Sequence, residues 1–153
     1  MSSARRLAIL SEIEARFVDS AFAVLLPASG HVWREASSGA AEFVDERLQS
    51  GRDHHLQIAV DLGVGDLKLT GDQVLRTYRR GIEAVHRHCA ARYGKAFHQL
   101  ARSQQHLVLG LLQWESSGSG PQHHGFLFPL LVQHAAEACF EISKAGPDRG
   151  RAA

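Results

Sequence analysis

The sequence predicts an all-α protein, a single compact helical domain of about five helices with irregular loops and a disordered C-terminal tail. Apolar residues recur three or four positions apart in several stretches, which places their side chains on one face of an α-helix. Only residues 56–60 alternate apolar and polar side chains as a strand does, and one strand cannot form a sheet. We predict a helical domain over residues 1–145 and a flexible tail over residues 146–153.

The longest helical pattern runs from Val74 to Trp114, and a glycine divides it. Apolar residues share one face of the first part: Val74, Tyr78, Ile82, Val85 and Cys89. Gly94 stands where a helix needs a residue with positive φ to turn back its last carbonyl groups. The second part carries an apolar band too wide for an isolated surface helix: Leu107, Val108, Leu111, Leu112 and Trp114. We predict two helices joined by a corner at Gly94, with part of this band packed internally and the remainder against a partner.

The flanking segments complete the helical prediction. A stripe over residues 10–24 and another over 127–142 have helical spacing, and residues 39–49 form a shorter helix. Residues 31–38, which contain Trp33, are predicted to form a loop. Residues 52–72 are predicted to form an irregular segment or a short helix. Residues 116–125 are rich in glycine and serine, which predicts a flexible connection before the last helix.

Composition excludes several classes of protein. A formal net charge of +1 argues against a broad nucleic-acid footprint. No apolar run reaches the roughly 18 residues that a membrane helix needs, so we expect no membrane insertion. Arg5 and Arg6 form a twin arginine, but the apolar run after them is too short for a signal peptide, which favours a cytoplasmic location. Cys89 and Cys139 fall inside helical patterns and are predicted to be buried thiols; a disulfide would require their helices to touch.

The sequence offers no convincing catalytic, cofactor-binding or metal-binding set. The turn at residues 63–65 lacks the third glycine and the βαβ context of a dinucleotide loop. Glu83 and His86 match half of a di-iron motif, but no second Glu-x-x-His pair exists. His134 and Glu137 lie three apart on the last predicted helix, a spacing more often seen in a helix-surface pair than in an acid–base device.

Several short motifs occur in a fixed order along the chain. They are Gly39–Asp45, Tyr78-x-x-Gly81-Ile82, Gly94-x-x-Phe97-x-x-Leu100, Gln104-Gln105-x-Leu107 and Phe126–Leu131. In order and spacing they resemble the small-subunit family named for subunit 3 of gluconate 2-dehydrogenase, over about residues 15–142.

The resemblance implies a function in a hetero-oligomeric complex. Small subunits of this family accompany a large FAD-containing subunit of the glucose–methanol–choline oxidoreductase class, which oxidises sugars or sugar acids. The resemblance therefore implies a non-catalytic, chaperone-like chain without a cofactor of its own, which binds and stabilises that large subunit. A cytochrome c or another electron carrier is implied as a further partner, and export together with the large subunit to the periplasm is the alternative to a cytoplasmic location.

Aromatic side chains are the expected anchors of the partner interface, because Trp and other aromatics commonly dominate such contacts. The candidates are Trp114, Phe126, Trp33 and Phe128. Two rival functions stay open at this point. One is a helical, di-iron-like metal enzyme. The other is a helical DNA-binding regulator that uses Arg76, Arg79 and Arg80.

Overall fold

The computed structural model describes residues 6–56, 67–117 and 126–145, and only the backbone of residues 67 and 114–117. In chain order the described elements are α1 (Glu12–Leu25), α2 (His31–Ser38), α3 (Ala40–Ser50), β1 (His54–Leu56), β2 (Leu67–Leu69), α4 (Gly71–Tyr93), a 3-10 turn (Phe97–Gln99), α5 (Arg102–Ser117) and α6 (Leu127–Ala145). Helices dominate, so the all-α fold class is confirmed. The described part holds six α-helices, against the predicted five or so. The predicted tail lies outside the described residues, as does most of the glycine- and serine-rich segment.

Helix α1 lies at the centre of the fold. A capping box begins it, in which Ser11 accepts a hydrogen bond from the Glu14 amide and Glu14 accepts one from the Ser11 amide. Phe17, Val18 and Phe22 are completely buried on its inner face. Helices α2, α3, α5 and α6 all contact α1, so its predicted apolar stripe forms the middle of the core.

The prediction of a loop over residues 31–38 was wrong, because this segment forms α2. The helix follows Gly30, whose φ of 114° is open to glycine but strained for other residues. Its one described buried residue is Ala36, and it packs mainly on α6. The helix has 8 residues and one buried side chain, so its apolar pattern is too short to detect in the sequence.

The expectation of no sheet was also wrong, because β1 and β2 pair as an antiparallel ribbon. His54 lies opposite Leu69, and Leu56 lies opposite Leu67. Two strands alone are marginal in water, but this ribbon buries Leu56 and Leu69 against the helices. The three residues of β2 were too few to show an alternating pattern. Residues 57–66, which include the predicted turn at residues 63–65, lie outside the described part.

The predicted corner between two long helices is confirmed. Helix α4 begins with a capping box between Thr70 and Gln73 and ends at Gly94, which has a φ of 67°. The 3-10 turn then buries Phe97, whose ring lies 4.9 Å from that of Phe17. Helix α5 begins without a serine or threonine cap; instead the Ala101 amide donates to the Gln104 side chain.

Helix α6 closes the core against α1, α2, α4 and α5. Leu127, Leu130 and Leu131 are fully buried in its first turns, where Pro129 is tolerated because the first amides of a helix lack intrahelical partners. Strand β1 also contacts α6, which brings the ribbon close to polar side chains of this helix. Within the described residues, no helix is long and apolar enough to cross a membrane.

Candidate functional site

A cluster of polar side chains lies buried where β1, α4 and α6 meet. His134 of α6 is 0% exposed and faces His54 of β1, with their ring centroids 5.0 Å apart and the rings nearly perpendicular. The Tyr78 hydroxyl of α4 lies 2.6 Å from His134 Nδ1. Glu137 follows His134 by one helical turn. The prediction that His134 and Glu137 form a helix-surface pair was therefore wrong for His134, because α6 is covered on this side by α4 and β1.

Burial governs the protonation of this cluster. Burial, followed by the nearby His54 and Arg47, lowers the pKa of His134 to about 3, so its ring is neutral at neutral pH. Burial, together with the negative charge of Glu137, raises the pKa of Tyr78 well above its usual value. Tyr78 and His134 thus form a hydrogen bond between two neutral groups.

Two buried atoms of this region, His134 Nε2 and Glu137 Oε2, have no hydrogen-bond partner within the part of the chain that the structure describes. Buried polar atoms of this kind usually find a partner, since leaving one unpaired costs about 1–3 kcal/mol. Arg47 does not bond to either of them. Its Nη2 donates to Glu141 Oε1 at 3.1 Å, its guanidinium lies over the Phe43 ring, and its Nε is itself unpaired.

The predicted interface aromatics are not brought together into one buried cluster. Trp33 on α2 is 37% exposed. Phe126 and Phe128 are partly buried and pack against the core. The side chain of Trp114 lies outside the described residues, although its backbone belongs to α5. Their role in an interface stays a prediction.

The apolar band of α5 is divided between the core and the surface. Val108, Leu109 and Leu112 are buried. Leu107 and Leu111, one helical turn apart, are 64% and 47% exposed. We call Leu107 and Leu111 the outer face of α5; it is an apolar surface that this fold leaves uncovered.

The two cysteines are buried free thiols, so the prediction of burial is confirmed and they form no disulfide. Burial raises the pKa of both Cys89 and Cys139, which disfavours the reactive thiolate.

The described residues support neither the di-iron motif at Glu83 and His86 nor the arginine set proposed for DNA contact. Glu83 of the half di-iron motif is exposed, so this motif does not face the interior. Among the three arginines proposed for DNA contact, Arg79 donates a hydrogen bond to the Ile9 carbonyl oxygen at 3.0 Å. That contact gives Arg79 a role in holding the N-terminal segment.

The polar cluster was missed in the sequence because its members come from three distant segments. Only His134 and Glu137 carried a signal, their helical spacing. His54 lies 80 positions earlier, and its approach to His134 depends on a ribbon that the sequence did not predict. Tyr78 appeared in the sequence as a core residue of α4, which it is, and its hydroxyl group gave no sign of its partner.

Comparison with known proteins gives one match. A family model described as gluconate 2-dehydrogenase subunit 3 matches residues 12–146. Searches among curated proteins and among solved structures found no match. The matched segment runs from the first residue of α1 to just past the end of α6 and contains every motif that carried the resemblance. The chain therefore belongs to the gluconate 2-dehydrogenase subunit 3 family and is an accessory subunit of a dehydrogenase complex with a larger catalytic partner.

Proposed function

We propose that this chain is the non-catalytic small subunit that binds and stabilises the FAD-containing large subunit of a sugar or sugar-acid dehydrogenase. The observation that carries the proposal is the family match over residues 12–146. In the proposed complex the large subunit holds FAD, and the flavin accepts a hydride from a CH–OH group of the substrate. A cytochrome c or another electron carrier then reoxidises the flavin.

The outer face of α5 supports a role in protein contact. Single exposed leucines are common on soluble proteins, but Leu107 and Leu111 are neighbours on one face of the same helix. The backbone of helix α5 continues through Trp114, one of the predicted aromatic anchors. Contiguous exposed apolar surface of this kind is typical of protein-binding sites.

Stabilisation of the large subunit follows from binding alone. A chain that binds the folded large subunit and not its unfolded form raises the free energy of unfolding of that subunit by mass action. The small subunit therefore needs no catalytic group to be required for activity in the cell.

The test is to express the large subunit with and without this chain, with an affinity tag on the small subunit. We expect a large polypeptide with flavin absorbance to co-purify, and sugar-dependent dye reduction to appear only in fractions that contain the large subunit. The isolated small subunit should be colourless, and the large subunit alone should lose activity faster on heating. Tight FAD binding by the isolated small subunit, or a large subunit equally stable without it, would contradict the proposal.

A further inference from the structure

The side chains of His54, His134 and Glu137, here called the His–Glu cluster, have the composition of a metal site. Each offers one ligand atom, and these three atoms lie within 4.8 Å of one another. It is the one such group found among the described residues. Two imidazoles and one carboxylate are a ligand set typical of zinc and of neighbouring divalent transition metals.

The hydrogen bonds around His54 leave its second nitrogen free to bind a metal. His54 Nδ1 lies 3.0 Å from the Arg52 carbonyl oxygen. A carbonyl oxygen can only accept, so Nδ1 carries the hydrogen and donates it. The lone pair of neutral His54 is therefore on Nε2. A bond from the other ring nitrogen to a backbone carbonyl is the arrangement that orients many metal-binding histidines.

Tyr78 bonds to the corresponding ring nitrogen of His134. Its hydroxyl lies 2.6 Å from His134 Nδ1, which leaves Nε2 as the nitrogen without a partner. In the tautomer in which Nδ1 donates to the Tyr78 oxygen, Nε2 presents a lone pair.

The unpaired atoms point to an occupant that the described residues do not supply. Among those residues, His134 Nε2 and Glu137 Oε2 are both buried without a hydrogen-bond partner. A cation would satisfy the nitrogen lone pair and the carboxylate charge together. Arg47 is the nearby positive group, but its Nη2 is already engaged by Glu141 and its Nε bonds to neither atom.

From this geometry we propose that the His–Glu cluster binds one zinc-class divalent ion, which joins β1 to α6. Tetrahedral zinc holds its ligand atoms at about 2.0–2.2 Å, so they lie roughly 3.3 Å from each other. Side chains whose ligand atoms are within 4.8 Å need a closure of no more than about 1.5 Å, which rotation of the Glu137 side chain and small ring shifts supply. Three protein ligands leave one position for water.

The site is separate from the proposed docking function. The ion would fix the ribbon to the last helix, and the complex with the large subunit depends on the exposed surface. Metal binding is therefore measurable on the isolated small subunit, and a failure of one proposal leaves the other intact.

The test is zinc titration of the untagged, metal-free chain by calorimetry, with Co2+ as a spectroscopic probe of tetrahedral geometry. The ligand variants are His54→Gln and Glu137→Gln. The matched controls are His88→Gln and His106→Gln, which change exposed histidines outside the cluster. Tyr78→Phe removes the hydroxyl group that orients His134 and keeps the ring.

We expect one tight zinc site in the parent and in both controls, and at least a tenfold weaker site in each ligand variant. Tyr78→Phe should weaken zinc binding by about 10- to 100-fold, as changes to groups that orient metal ligands do. Zinc should raise the melting temperature of the parent and of the controls, and have little effect on His54→Gln. Circular dichroism verifies that each variant is folded.

Two results would overturn the proposal. One is the absence of a stoichiometric zinc site in the parent. The other is an affinity that is unchanged in both ligand variants, since the bound ion would then lie on other histidines. His54→Gln alters β1 and Glu137→Gln alters α6, so a failure of one variant to fold does not prevent the measurement on the other. The zinc affinity of one folded ligand variant is enough to support or overturn the proposal.

Discussion

Asp45 on α3 shows how one side chain fixes the path of the chain into α1. Its two carboxylate oxygens accept hydrogen bonds from the amides of Ala8, Ile9 and Leu10, at 2.8–2.9 Å. Burial acts to raise the pKa of Asp45, but the bonds from these three amides outweigh it and the pKa lies below its usual value. The described residues 6–10 before α1 lie in no helix or strand, so Asp45 supplies the bonds that the amides of residues 8–10 would otherwise lack.

Asp45→Asn should lower the free energy of unfolding at neutral pH by about 1.5–3 kcal/mol, the usual contribution of hydrogen bonds to a charged group. The amide nitrogen of asparagine cannot accept, so at least one backbone amide loses its partner. Urea unfolding monitored by circular dichroism measures the change. Glu46→Gln, on the exposed neighbouring residue of the same helix, is the control and should change stability little.

The effect of Asp45 should also depend on pH. Because the pKa of Asp45 is lower in the folded chain than in the unfolded chain, its carboxylate stabilises the fold above about pH 4. This contribution is lost as the pH falls through the folded-state pKa. The difference in stability between the parent and Asp45→Asn should therefore shrink in acid. An equal difference at about pH 7 and about pH 3 would mean that the charge of Asp45 is not what stabilises the fold.

Single-residue roles were the hardest part to predict from sequence. The pattern identified Tyr78 as a core position correctly, because helical spacing reports which face of a helix is buried. It could not identify Asp45 or His134 as buried, because polar residues are expected at the surface unless their partners are known. Those partners lie 35 or more positions away along the chain.

At the scale of elements, α4 and α6 approach closely at Gly81. A Cβ atom at this position would lie 2.8 Å from Leu127 Cδ2 and 2.9 Å from Leu127 Cβ. Leu127 is itself fully buried in the core, so relief of this contact requires packed core residues to shift. Gly110, in the middle of α5, is exposed, and a Cβ atom there would meet nothing within 4 Å.

These two helical glycines should respond in opposite directions to alanine. Gly110→Ala should raise the free energy of unfolding by up to about 1 kcal/mol, because alanine favours helix more than glycine. Gly81→Ala should lower it by about 1–3 kcal/mol, the usual result of overpacking a core. Chemical denaturation of both variants checks the signs.

A double-variant cycle assigns the cause. If Gly81→Ala acts through the outer atoms of Leu127, its cost should shrink in a Leu127→Ala background, which removes Cγ and Cδ2 and keeps Cβ. A cost that is the same in both backgrounds would show that these outer atoms are not its cause.

The sequence predicted elements well where they were long. Its patterns located α1, α3, α4, α5 and α6, and Gly94 as the left-handed end of α4. It missed α2 and the β1–β2 ribbon, since each has too few residues to show a period and is held by its contacts with α6 and other helices. Gly81 and Leu127 each belong to a motif that the sequence showed, but the contact between them was not visible.

At the scale of the whole molecule, the outer face of α5 is apolar surface that does not pack into the core. Helix α5 contacts α1 and α6 through its buried side, which leaves Leu107 and Leu111 exposed. The sequence predicted that the apolar band would be shared between the core and a partner, and its internal half is confirmed. The predicted contact of the exposed residues with a partner stays a prediction, since the structure contains one chain only.

The last prediction assigns the contact with the large subunit to this face. Leu107→Ser and Leu111→Ser together should weaken association by about 2 kcal/mol or more, because two apolar side chains would no longer be buried against the partner. The fold should change little, since both side chains are exposed. Trp114→Ala, Phe126→Ala and Trp33→Ala test the predicted aromatic anchors in the same way. Phe140→Ser is the matched control, an apolar residue on α6 that is 68% exposed and lies outside the α5 face.

The measurement is retention of the large subunit by each tagged variant, with circular dichroism to verify that the helices persist. The aromatic variants separate two arrangements of the interface. Weaker retention for Trp114→Ala would extend the contact along α5, and weaker retention for Trp33→Ala would extend it to α2. If Phe140→Ser releases the large subunit while the α5 double variant retains it, the partner binds α6 and the outer face of α5 has another role.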